Sequence, residues 1–324
     1  MPDARLRSAK RYVQYLNTLD SDDLDMKDEI ELRHLRYFLA VAETLHFGRA
    51  AKKLGMAQPP LSQQIRRLEE LLGAALFERT TRGVTLTPAG AVLRERALSS
   101  MARLADDLEQ TRRVARGEEG RLTVGFSGSV MFTELPMAIQ AYRRAYPRVE
   151  VRLREMWTSD QLAALADGSI DVGFLRDGER RPDLEITPLL REPFHVALPA
   201  EHRLKRQRTV DPKDFEGEPF VLFARRMGNL AFDRTMRCCL DAGFQPAIAQ
   251  EAPQFPTLIR LVSAGLGISL VPACVATITF PGTIFRPIRS KRWTSVDIGT
   301  RVVGAGATAA AFVETVRGHF AERA

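Results

Sequence analysis

Polar side chains follow two apolar stretches of the C-terminal half that read as strands. Ser127 and Ser129 lie in GFSGS, after RLTVGF, and Thr158 lies in EMWTSD, after VEVRLREM. A predicted helix begins after each turn, so unpaired backbone N–H groups accompany the hydroxyls. Each hydroxyl alone is more typical of a helix cap. Together they predict a site for a carboxylate, to which Arg176, at the end of IDVGFLR, adds a cation.

A second group of polar residues surrounds the proline pair Pro59-Pro60 in AQPPLSQQIRR. Proline is tolerated in the first turn of a helix but is costly inside one, so the pair predicts a helix that begins at Gln58. A glutamine pairs bidentately with adenine, a proline ring packs on a thymine methyl group, and Ser62 suits a phosphate contact. The outer face of this helix also presents Gln63 and Arg66. These residue types predict contact with DNA.

The elements around Gln58 have the order of a helix-turn-helix. Apolar residues recur at helical spacing after Glu31, and a second helix is expected from about Phe47 to Leu54, ended by Gly55. The residues expected to face inward are Leu35, Phe38, Leu39, Ala42 and Leu45 in the first helix, and Leu61, Ile65, Leu68 and Leu72 in the third. A glycine turn between short amphipathic helices is typical of DNA-reading domains.

The segment ALFERTTRGVTLTPAG predicts a small β-hairpin, or wing, after the third helix. Leu76-Phe77 and Val84-Thr85-Leu86 read as strands. Arg79 and Arg82 are expected to lie along the phosphate backbone, although each taken alone is more typical of a solvated surface charge. Thr87 then caps a new helix with Pro88 at its first position.

One long helix is predicted from Pro88 to about Gly117. Its apolar residues repeat nearly as a heptad: Leu93, Ala97, Met101, Leu104 and Leu108. Such a stripe must be covered. A second copy of the chain is the favoured cover, giving a dimer, and packing on the helix's own domain is the alternative. RGEEG, residues 116–120, reads as a glycine hinge at a domain boundary.

Strands and helices alternate after Arg121, which predicts a mostly parallel sheet with helices on both faces. A helix is expected from Phe132 to Tyr146 and another from Ser159 to Asp167. The pattern restarts near FVLFARR, so two α/β lobes with a cleft between them are expected. Ligands of such sheets bind beyond the carboxyl ends of strands.

Composition narrows the class of protein. The 324 residues carry a net charge of +7 with a pI near 9.6, which favours an anionic partner. The three cysteines form no C-x-x-C pair, and no membrane span or signal peptide is apparent, which predicts a cytoplasmic protein without cofactor or metal. Cys238 and Cys239 are expected in the core, with redox sensing as the alternative. Residues 1–30 read as an N-terminal extension: either a product of an upstream start, with Met26 as the natural one, or an extra helix.

The stretch from ELRHLRYFLAVAE to TLTPAG resembles the winged helix-turn-helix of LysR-type transcriptional regulators, and the resemblance extends from Glu31 to about Phe320. It implies promoter DNA as a partner, a dimer that assembles into a tetramer, contact with RNA polymerase, and DNA contacts at Gln58, Pro59, Pro60 and Ser62. Gln63 departs from the arginine that close relatives often carry. The implied architecture is α/β overall: a winged helix-turn-helix (31–88), a linker helix (89–117), and an effector domain of two lobes like a periplasmic binding protein (121–324), whose chain crosses between lobes twice.

The same resemblance, to regulators of aromatic-compound breakdown, implies that the effector is an aromatic or unsaturated carboxylate held at the turns of Ser129 and Thr158. It places Asn229, Phe255 and Thr257, from the second lobe, at the same cleft. The resemblance does not identify the effector.

An enzyme and a transport-binding protein are the rival classes. GFSGS lacks the last glycine of the G-x-S-x-G nucleophile elbow, and GAGATA, at Gly304, lacks the full dinucleotide pattern. The DNA-reading head and the absent signal peptide count against a transport protein. Both rivals are therefore disfavoured.

Overall fold

The computed structural model describes residues 30–80 and 83–321, which form two compact units divided between Glu109 and Gln110. The predicted N-terminal extension lies outside the described residues, apart from Ile30, and so does Arg82. The division falls within the long helix. Along the described part of the chain, no helix is both long enough and apolar enough to span a bilayer.

The first unit begins with three helices, α1 (Leu32–Thr44), α2 (Phe47–Leu54) and α3 (Gln58–Leu72). Gly55 ends α2 in the left-handed conformation, with φ of 69°, as its sequence position predicted. The buried face of α3 consists of Leu61, Ile65 and Leu68, all fully buried against α1 and α2. This order and packing are those of a helix-turn-helix.

Two predicted core positions are wrong. Leu45 is 43% exposed and Leu72 is 39% exposed. Both lie where a helix stops: Leu45 is the left-handed residue that ends α1, and Leu72 directly precedes Gly73, which ends α3. Helical spacing identifies the apolar face but not the residue at which that face leaves the core.

The hairpin consists of β1 (Phe77–Thr80) and β2 (Gly83–Leu86), which pair antiparallel. The long helix α4 (Pro88–Ala115) follows, and the Thr87 hydroxyl caps it by accepting from the Gly90 N–H at 2.9 Å. Within the first unit, α4 buries Ala97, whereas Met101 and Leu104 are half-buried. The apolar stripe is therefore covered by its own unit only near its start.

The second unit holds the remaining strands and helices. The strands are β3 (Glu119–Phe126), β4 (Arg148–Glu155), β5 (Val172–Arg176), β6 (Leu184–Pro199), β7 (Pro219–Leu222), β8 (Ala247–Glu251), β9 (Ser269–Pro272), β10 (Thr283–Pro287) and β11 (Trp293–Arg301). The helices are α5 (Leu135–Ala145), α6 (Thr158–Asp167), α7 (Asn229–Leu240), α8 (Phe255–Ser263) and α9 (Ala307–Ala321). Short 3-10 helices at Gly128–Phe132, Pro212–Phe215, Arg225–Met227 and Ala273–Thr277 connect them.

The predicted helix from Phe132 to Tyr146 is shorter in the structure. The chain first makes the 3-10 turn Gly128–Phe132, and α5 starts only at Leu135. Pro136 explains the start, because it occupies the first turn of α5 and would break an α-helix that began at Phe132. Within the first unit and at α6, by contrast, helix starts agree with the predictions to within one residue.

The prediction of a mostly parallel sheet is wrong. The main sheet has the order β10-β6-β11-β5-β3-β4, with β9 also paired to β6. β3 is parallel to β4 and β5, but β11 is antiparallel to β5 and β6, and β6 is antiparallel to β9 and β10. The long strands β6 and β11, which sequence alternation did not reveal, make the sheet mixed.

The two-lobed α/β architecture is confirmed. The first part of β6 pairs with β11 and the last part pairs with β9 and β10, so this one strand runs from the first lobe into the second. The chain returns to the first lobe at Trp293, the start of β11. Separate cores form around Phe174 and Phe312 in the first lobe and around Phe194 and Phe220 in the second.

Buried charges join the two lobes at the end of β5. The Arg176 Nη1 donates to Glu192 Oε1 at 2.6 Å, and Glu192 Oε2 accepts from the Cys274 N–H at 2.6 Å. The next residue, Asp177, accepts from Arg234 Nη1, on α7, at 2.6 Å. The Asp177–Arg234 pair connects a first-lobe strand to a second-lobe helix, whereas Glu192, near the crossover of β6, links Arg176 to the second-lobe residue Cys274.

Asp177 and Asp297 lie close together in this junction. The Ser295 hydroxyl is 3.1 Å from Asp177 Oδ1 and 3.0 Å from Asp297 Oδ2, yet it has a single hydrogen to donate. Burial raises the pKa of Asp297, while its hydrogen bond from the Gly178 N–H opposes that rise. The raised pKa of Asp297 agrees with this shortage of donors between the two carboxyl groups.

We expect Asp297→Asn to flatten the pH dependence of stability. A carboxyl group whose pKa is raised on folding adds most stability below its unfolded pKa and loses it as pH rises through the folded pKa. The variant should therefore gain stability relative to the unmodified protein as pH rises above the ordinary aspartate pKa of about 4. Urea unfolding followed by tryptophan fluorescence checks this, since Trp157 and Trp293, the only tryptophans, both lie in the second unit.

Asp183→Asn is the matched control. Asp183 is exposed and its pKa is lowered by its hydrogen bond from Arg181, so the sign of its effect is opposite. A free energy of unfolding of Asp297→Asn that falls relative to that of the unmodified protein as pH rises would contradict the expectation.

Candidate functional sites

The predicted DNA-reading residues lie on the solvent side of α3. Gln58, Pro59 and Pro60 form its exposed first turn, and Gln63 and Arg66 are also exposed. Ser62 is half-buried beside them. The structure thus brings these residues onto one helix face, opposite the buried Leu61 and Ile65.

The start of α2 supports the Gln58 side chain. A Cβ atom on Gly48 would lie 3.3 Å from Gln58 Oε1 and 3.1 Å from His46 Cε1, so the small residue leaves room for both side chains. His46 itself caps α2, because its Nδ1 accepts from the Arg49 N–H at 3.3 Å. Sequence analysis missed His46 and Gly48, which precede the proline signal.

A buried histidine fixes α3 to α1. His34 Nδ1 accepts from the Glu31 N–H at 3.0 Å, which leaves Nε2 protonated to donate to Gln64 Oε1, also at 3.0 Å. His34 is 4% exposed. No sequence signal distinguishes it from an ordinary core histidine, since its role depends on a partner 30 residues away.

The wing carries the predicted phosphate contact Arg79. Its guanidinium lies 4.3 Å from the centre of the Phe47 ring, a cation–π contact that fixes the exposed arginine beside the first residue of α2. Arg82, the other residue predicted to contact phosphate in the wing, lies outside the described residues. Arg79 is therefore near the same end of α2 as Gln58.

The second unit contains a cleft between its lobes, with about 470 Å³ of empty space when the solvent at its open mouth is included. Five of the predicted effector contacts line it: Ser127, Ser129, Thr158, Arg176 and Phe255. Asn229 and Thr257 are exposed first-turn residues of α7 and α8 that the structure does not bring into this lining.

The opposite wall is apolar. It consists of Trp157, which follows β4, and of second-lobe residues: Phe223, Met227, Ala231, Ala252, Pro253 and Leu258. The family resemblance also implied that the segment 223–232 faces the cleft, whereas Ala252, Pro253 and Leu258 were not predicted. They come from different helices and loops, so only the fold collects them. The cleft is thus polar at the carboxyl ends of β3 and β5 and apolar on the second lobe.

The hydroxyl groups at the polar end form a chain. The Gln161 amide donates to Ser127 Oγ at 3.2 Å, and Ser127 Oγ is 3.3 Å from Thr158 Oγ1. Thr158 in turn donates to the Arg176 carbonyl at 3.1 Å. The hydrogens of Ser127 and Thr158 are therefore directed into the protein, and both hydroxyls serve to join α6 to the strand ends.

Ser129 differs from the other two. Its Oγ accepts from Arg176 Nε at 3.2 Å, and among the residues that the structure describes no acceptor is recorded for its own hydrogen. The first N–H groups of the 3-10 helix at Gly128 and of α6 at Thr158 likewise have no intrahelical acceptor. These are the donors at the polar end that the described hydrogen bonds leave unused, and Ser129 itself is fully buried.

The Arg176 cation is neutralised within the protein. Arg176 is 6% exposed, and its ion-pair partner Glu192 is buried to the same degree. Near the cleft, Glu155 and Asp160 line an adjoining depression, and a Cβ on Gly128 would overlap the Glu155 carboxylate. The attraction of this cleft for an anion therefore depends on neutral donors, not on a free positive charge.

The adjacent cysteines lie in the second-lobe core, as predicted. Cys238 and Cys239 are each 1% exposed, and burial raises the pKa of the first thiol to about 11 and of the second to about 12. Thiols held this far from the thiolate form are unreactive at neutral pH.

Comparison with known proteins identifies both domains. Residues 32–91 match the family of bacterial regulatory helix-turn-helix proteins of the lysR family, and residues 115–321 match the LysR substrate binding domain. The transcriptional regulator AlsR of Bacillus subtilis is 41% identical over 244 residues, which are 75% of this chain and 81% of AlsR. BenM of Acinetobacter baylyi, also a transcriptional regulator, is 38% identical over 261 residues, 80% of this chain and 86% of BenM.

The fold is also that of solved regulators. The structure of full-length CbnR with its target DNA has a TM-score of 0.76 and 32% identity, covering 90% of this chain and all of CbnR. These relatives are transcriptional regulators and not enzymes. With a helix-turn-helix domain and an effector-binding domain both matched, the chain belongs to the LysR family of DNA-binding transcriptional regulators.

Proposed function

We propose that this regulator acts in the cytoplasm and alters transcription when a small aromatic or unsaturated carboxylate enters the cleft of its second unit. The observation that carries the proposal is the two-sided cleft. Free donors from Ser129 and Gly128 lie at one end, and Trp157, Phe223 and Phe255 supply aromatic surface beside them. A flat apolar acid matches both sides, because its carboxylate meets the donors and its body displaces water from the apolar wall.

The electrostatics favour a small acid with a single anionic end. Helix starts carry a partial positive charge, so the turns at Gly128 and Thr158 attract one carboxylate. Glu155 and Asp160 at the adjoining depression repel a second negative group placed there. A neutral sugar would be a poor match both for these donors and for the apolar wall.

On DNA, the proposed contacts divide by type. Gln58, Pro59 and Pro60 read bases, whereas Ser62, Arg66, Arg79 and Arg82 hold phosphates, with Gln63 at the edge of the reading face. Exposure of the first turn of α3 and the support of Gln58 at Gly48 favour this division for the described residues. Base contacts specify the site, and phosphate contacts position the helix.

Assembly follows from the long helix. Of the stripe on α4, Leu108 is 49% exposed and Leu104 is half-buried, so the chain itself leaves apolar surface that a second copy covers. Two dimers form the tetramer, and paired DNA-binding domains contact the two half-sites of a bipartite operator. The effector shifts a balance between tetramer shapes by binding one better, and RNA polymerase senses the change at the promoter.

We expect Gln58→Ala to weaken specific DNA binding by about 1–3 kcal/mol and binding to random DNA hardly at all, since a lost base contact affects only the matched sequence. Gel retardation at fixed salt with the upstream DNA and a scrambled duplex measures both. Gln250→Ala, an exposed change in the second unit, is the control. An equal loss on the two duplexes would remove the base-reading role.

We expect Leu104→Asp to lower the oligomeric state, because it places a charge in an apolar contact without a partner. Ala105→Asp adds the same charge at the adjacent exposed position and should leave assembly unchanged. Sedimentation velocity at micromolar concentration measures both variants. A tetramer that persists in Leu104→Asp, or a stable monomer for the unmodified chain, would contradict assembly through α4.

We expect Ser129→Ala to weaken carboxylate binding by about 1–3 kcal/mol without changing DNA affinity in the absence of ligand. Calorimetry with a panel of aromatic and unsaturated carboxylates that includes benzoate measures the change. Thr158→Val is the contrast: its hydroxyl is bound to the Arg176 backbone, so its loss should lower the unfolding midpoint of the second unit. Unchanged affinity in Ser129→Ala would place the ligand elsewhere.

A further inference from the structure

One buried amide side chain connects the elements that form the polar end of the cleft. Gln161 lies in the first helical turn after Thr158, is fully buried, and does not line the cleft. Its Nε2 lies 3.2 Å from Ser127 Oγ, 3.0 Å from the Met156 carbonyl and 3.2 Å from the Phe174 carbonyl. Its two hydrogens are therefore shared among three acceptors.

The three acceptors come from three parallel strands. Ser127 and Met156 directly follow the ends of β3 and β4, and Phe174 lies in β5, two residues before its end. The strand ends also bond directly, because the Ser127 N–H donates to the Phe174 carbonyl and the Met156 N–H to the Phe126 carbonyl, each at 3.0 Å. Gln161 is the point at which α6 attaches to this edge.

A row of glycines lets α6 come close enough for this contact. Gly125 of β3, Gly173 of β5 and Gly299 of β11 lie side by side in the sheet. A Cβ on Gly125 would lie 3.2 Å from Gln161 Oε1, and one on Gly173 would lie 3.1 Å from the same atom. One turn further along α6, Leu165 Cδ1 would be 3.0 Å from a Cβ on Gly173 and 3.1 Å from one on Gly299.

The orientation of the amide follows from these neighbours. Nε2 faces three oxygens, so Oε1 faces the glycine backbone, and among the described residues it has no hydrogen-bond partner. Leaving a buried carbonyl oxygen unpaired is costly, and an aliphatic side chain would fill the same groove without that cost. What only the amide supplies is the pair of N–H groups that joins the strand ends to α6.

We propose that Gln161 is a positioning residue of the effector cleft: it fixes the first turn of α6 and the Ser127–Ser129 turn relative to each other, so that their donors converge on one ligand group. The proposal rests on the carboxylate function of the cleft. Gln161 touches no ligand and acts through Ser127 and the Thr158 turn.

The test compares Gln161→Met, which keeps the length of the side chain but removes its donors, with Tyr142→Phe. Tyr142 is a fully buried residue of the same lobe whose hydroxyl donates to the Thr308 carbonyl at 3.1 Å, away from the cleft. Hydrogen exchange of the full-length protein is followed by mass spectrometry. The segments 127–130 and 156–162 contain the bonded N–H groups of Ser127, Val130 and Met156. Exchange in these segments should quicken about tenfold in Gln161→Met and stay unchanged in Tyr142→Phe, even where both lower the unfolding midpoint.

A second variant, Gly173→Ala, displaces Gln161 by adding a methyl group beneath it and should produce the same local increase in exchange. Calorimetry with benzoate, or with the tightest carboxylate of the same panel, should show a dissociation constant about tenfold higher in Gln161→Met and unaltered in Tyr142→Phe. Unchanged local exchange in Gln161→Met, or exchange raised evenly over the whole second unit in both Gln161→Met and Gly173→Ala, would overturn the positioning role.

The two proposals fail separately. If the unmodified protein binds no carboxylate of the panel while exchange in 127–130 and 156–162 still rises in Gln161→Met and not in Tyr142→Phe, the carboxylate function is wrong and the positioning of the turns by Gln161 is supported. If carboxylates bind equally well to Gln161→Met and the unmodified protein, the positioning role is overturned and the carboxylate function stands.

Discussion

The ion pairs at the end of β5 constrain how the two lobes of the second unit are placed. The last residue of this strand, Arg176, is paired with Glu192, and the next residue, Asp177, is paired with Arg234. Charges this deeply buried are costly unless both partners stay in place. Each pair joins a first-lobe strand to another segment of the lobe junction, so the relative placement of the lobes is tied to electrostatic balance at two adjacent residues. Asp177 reaches this arrangement in a left-handed conformation, with φ of 52°, which aspartate tolerates better than most residues.

The same constraint determines the character of the cleft. Because Glu192 holds the charge of Arg176, the cleft meets a ligand with hydroxyl and N–H donors only. Such donors discriminate by geometry, since a hydrogen bond depends on direction more than a bare charge does. Three parallel strands end at this point, and their carbonyls and hydroxyls are joined by a single helix. Recognition at the cleft is thus inseparable from how that helix packs on the sheet.

Much of the first unit could be predicted from sequence because its signals are local. A proline pair marks the start of α3, Gly55 ends α2, and Thr87 caps α4; each of these acts within a few residues. The support of Gln58 by Gly48 and the contact of His34 with Gln64 were missed, since those pairs are 10 and 30 residues apart and leave no periodic pattern.

The second unit was harder to predict for the same reason. Ser127, Ser129, Thr158 and Arg176 were found because each follows a strand, a local signal. Ala252, Pro253, Leu258 and the Glu192 counter-ion were not, because they come from segments that meet only after the chain crosses between lobes; the segment 223–232 was placed at the cleft by family resemblance alone. The antiparallel strands β6 and β11 were not predicted, because Pro188 and Pro193 interrupt the apolar pattern of β6. The pairing of β6 with β11 is irregular near Pro188.

A strand that belongs to both lobes has a mechanical consequence. Since β6 passes without a break from pairing with β11 to pairing with β9 and β10, the lobes are not linked by loose connectors. Any opening or closing of the lobes therefore bends the backbone of this strand, whereas the return connection, residues 288–292, is a loop. Because a hydrogen-bonded strand is stiffer than a loop, β6 limits how far the lobes can move relative to each other.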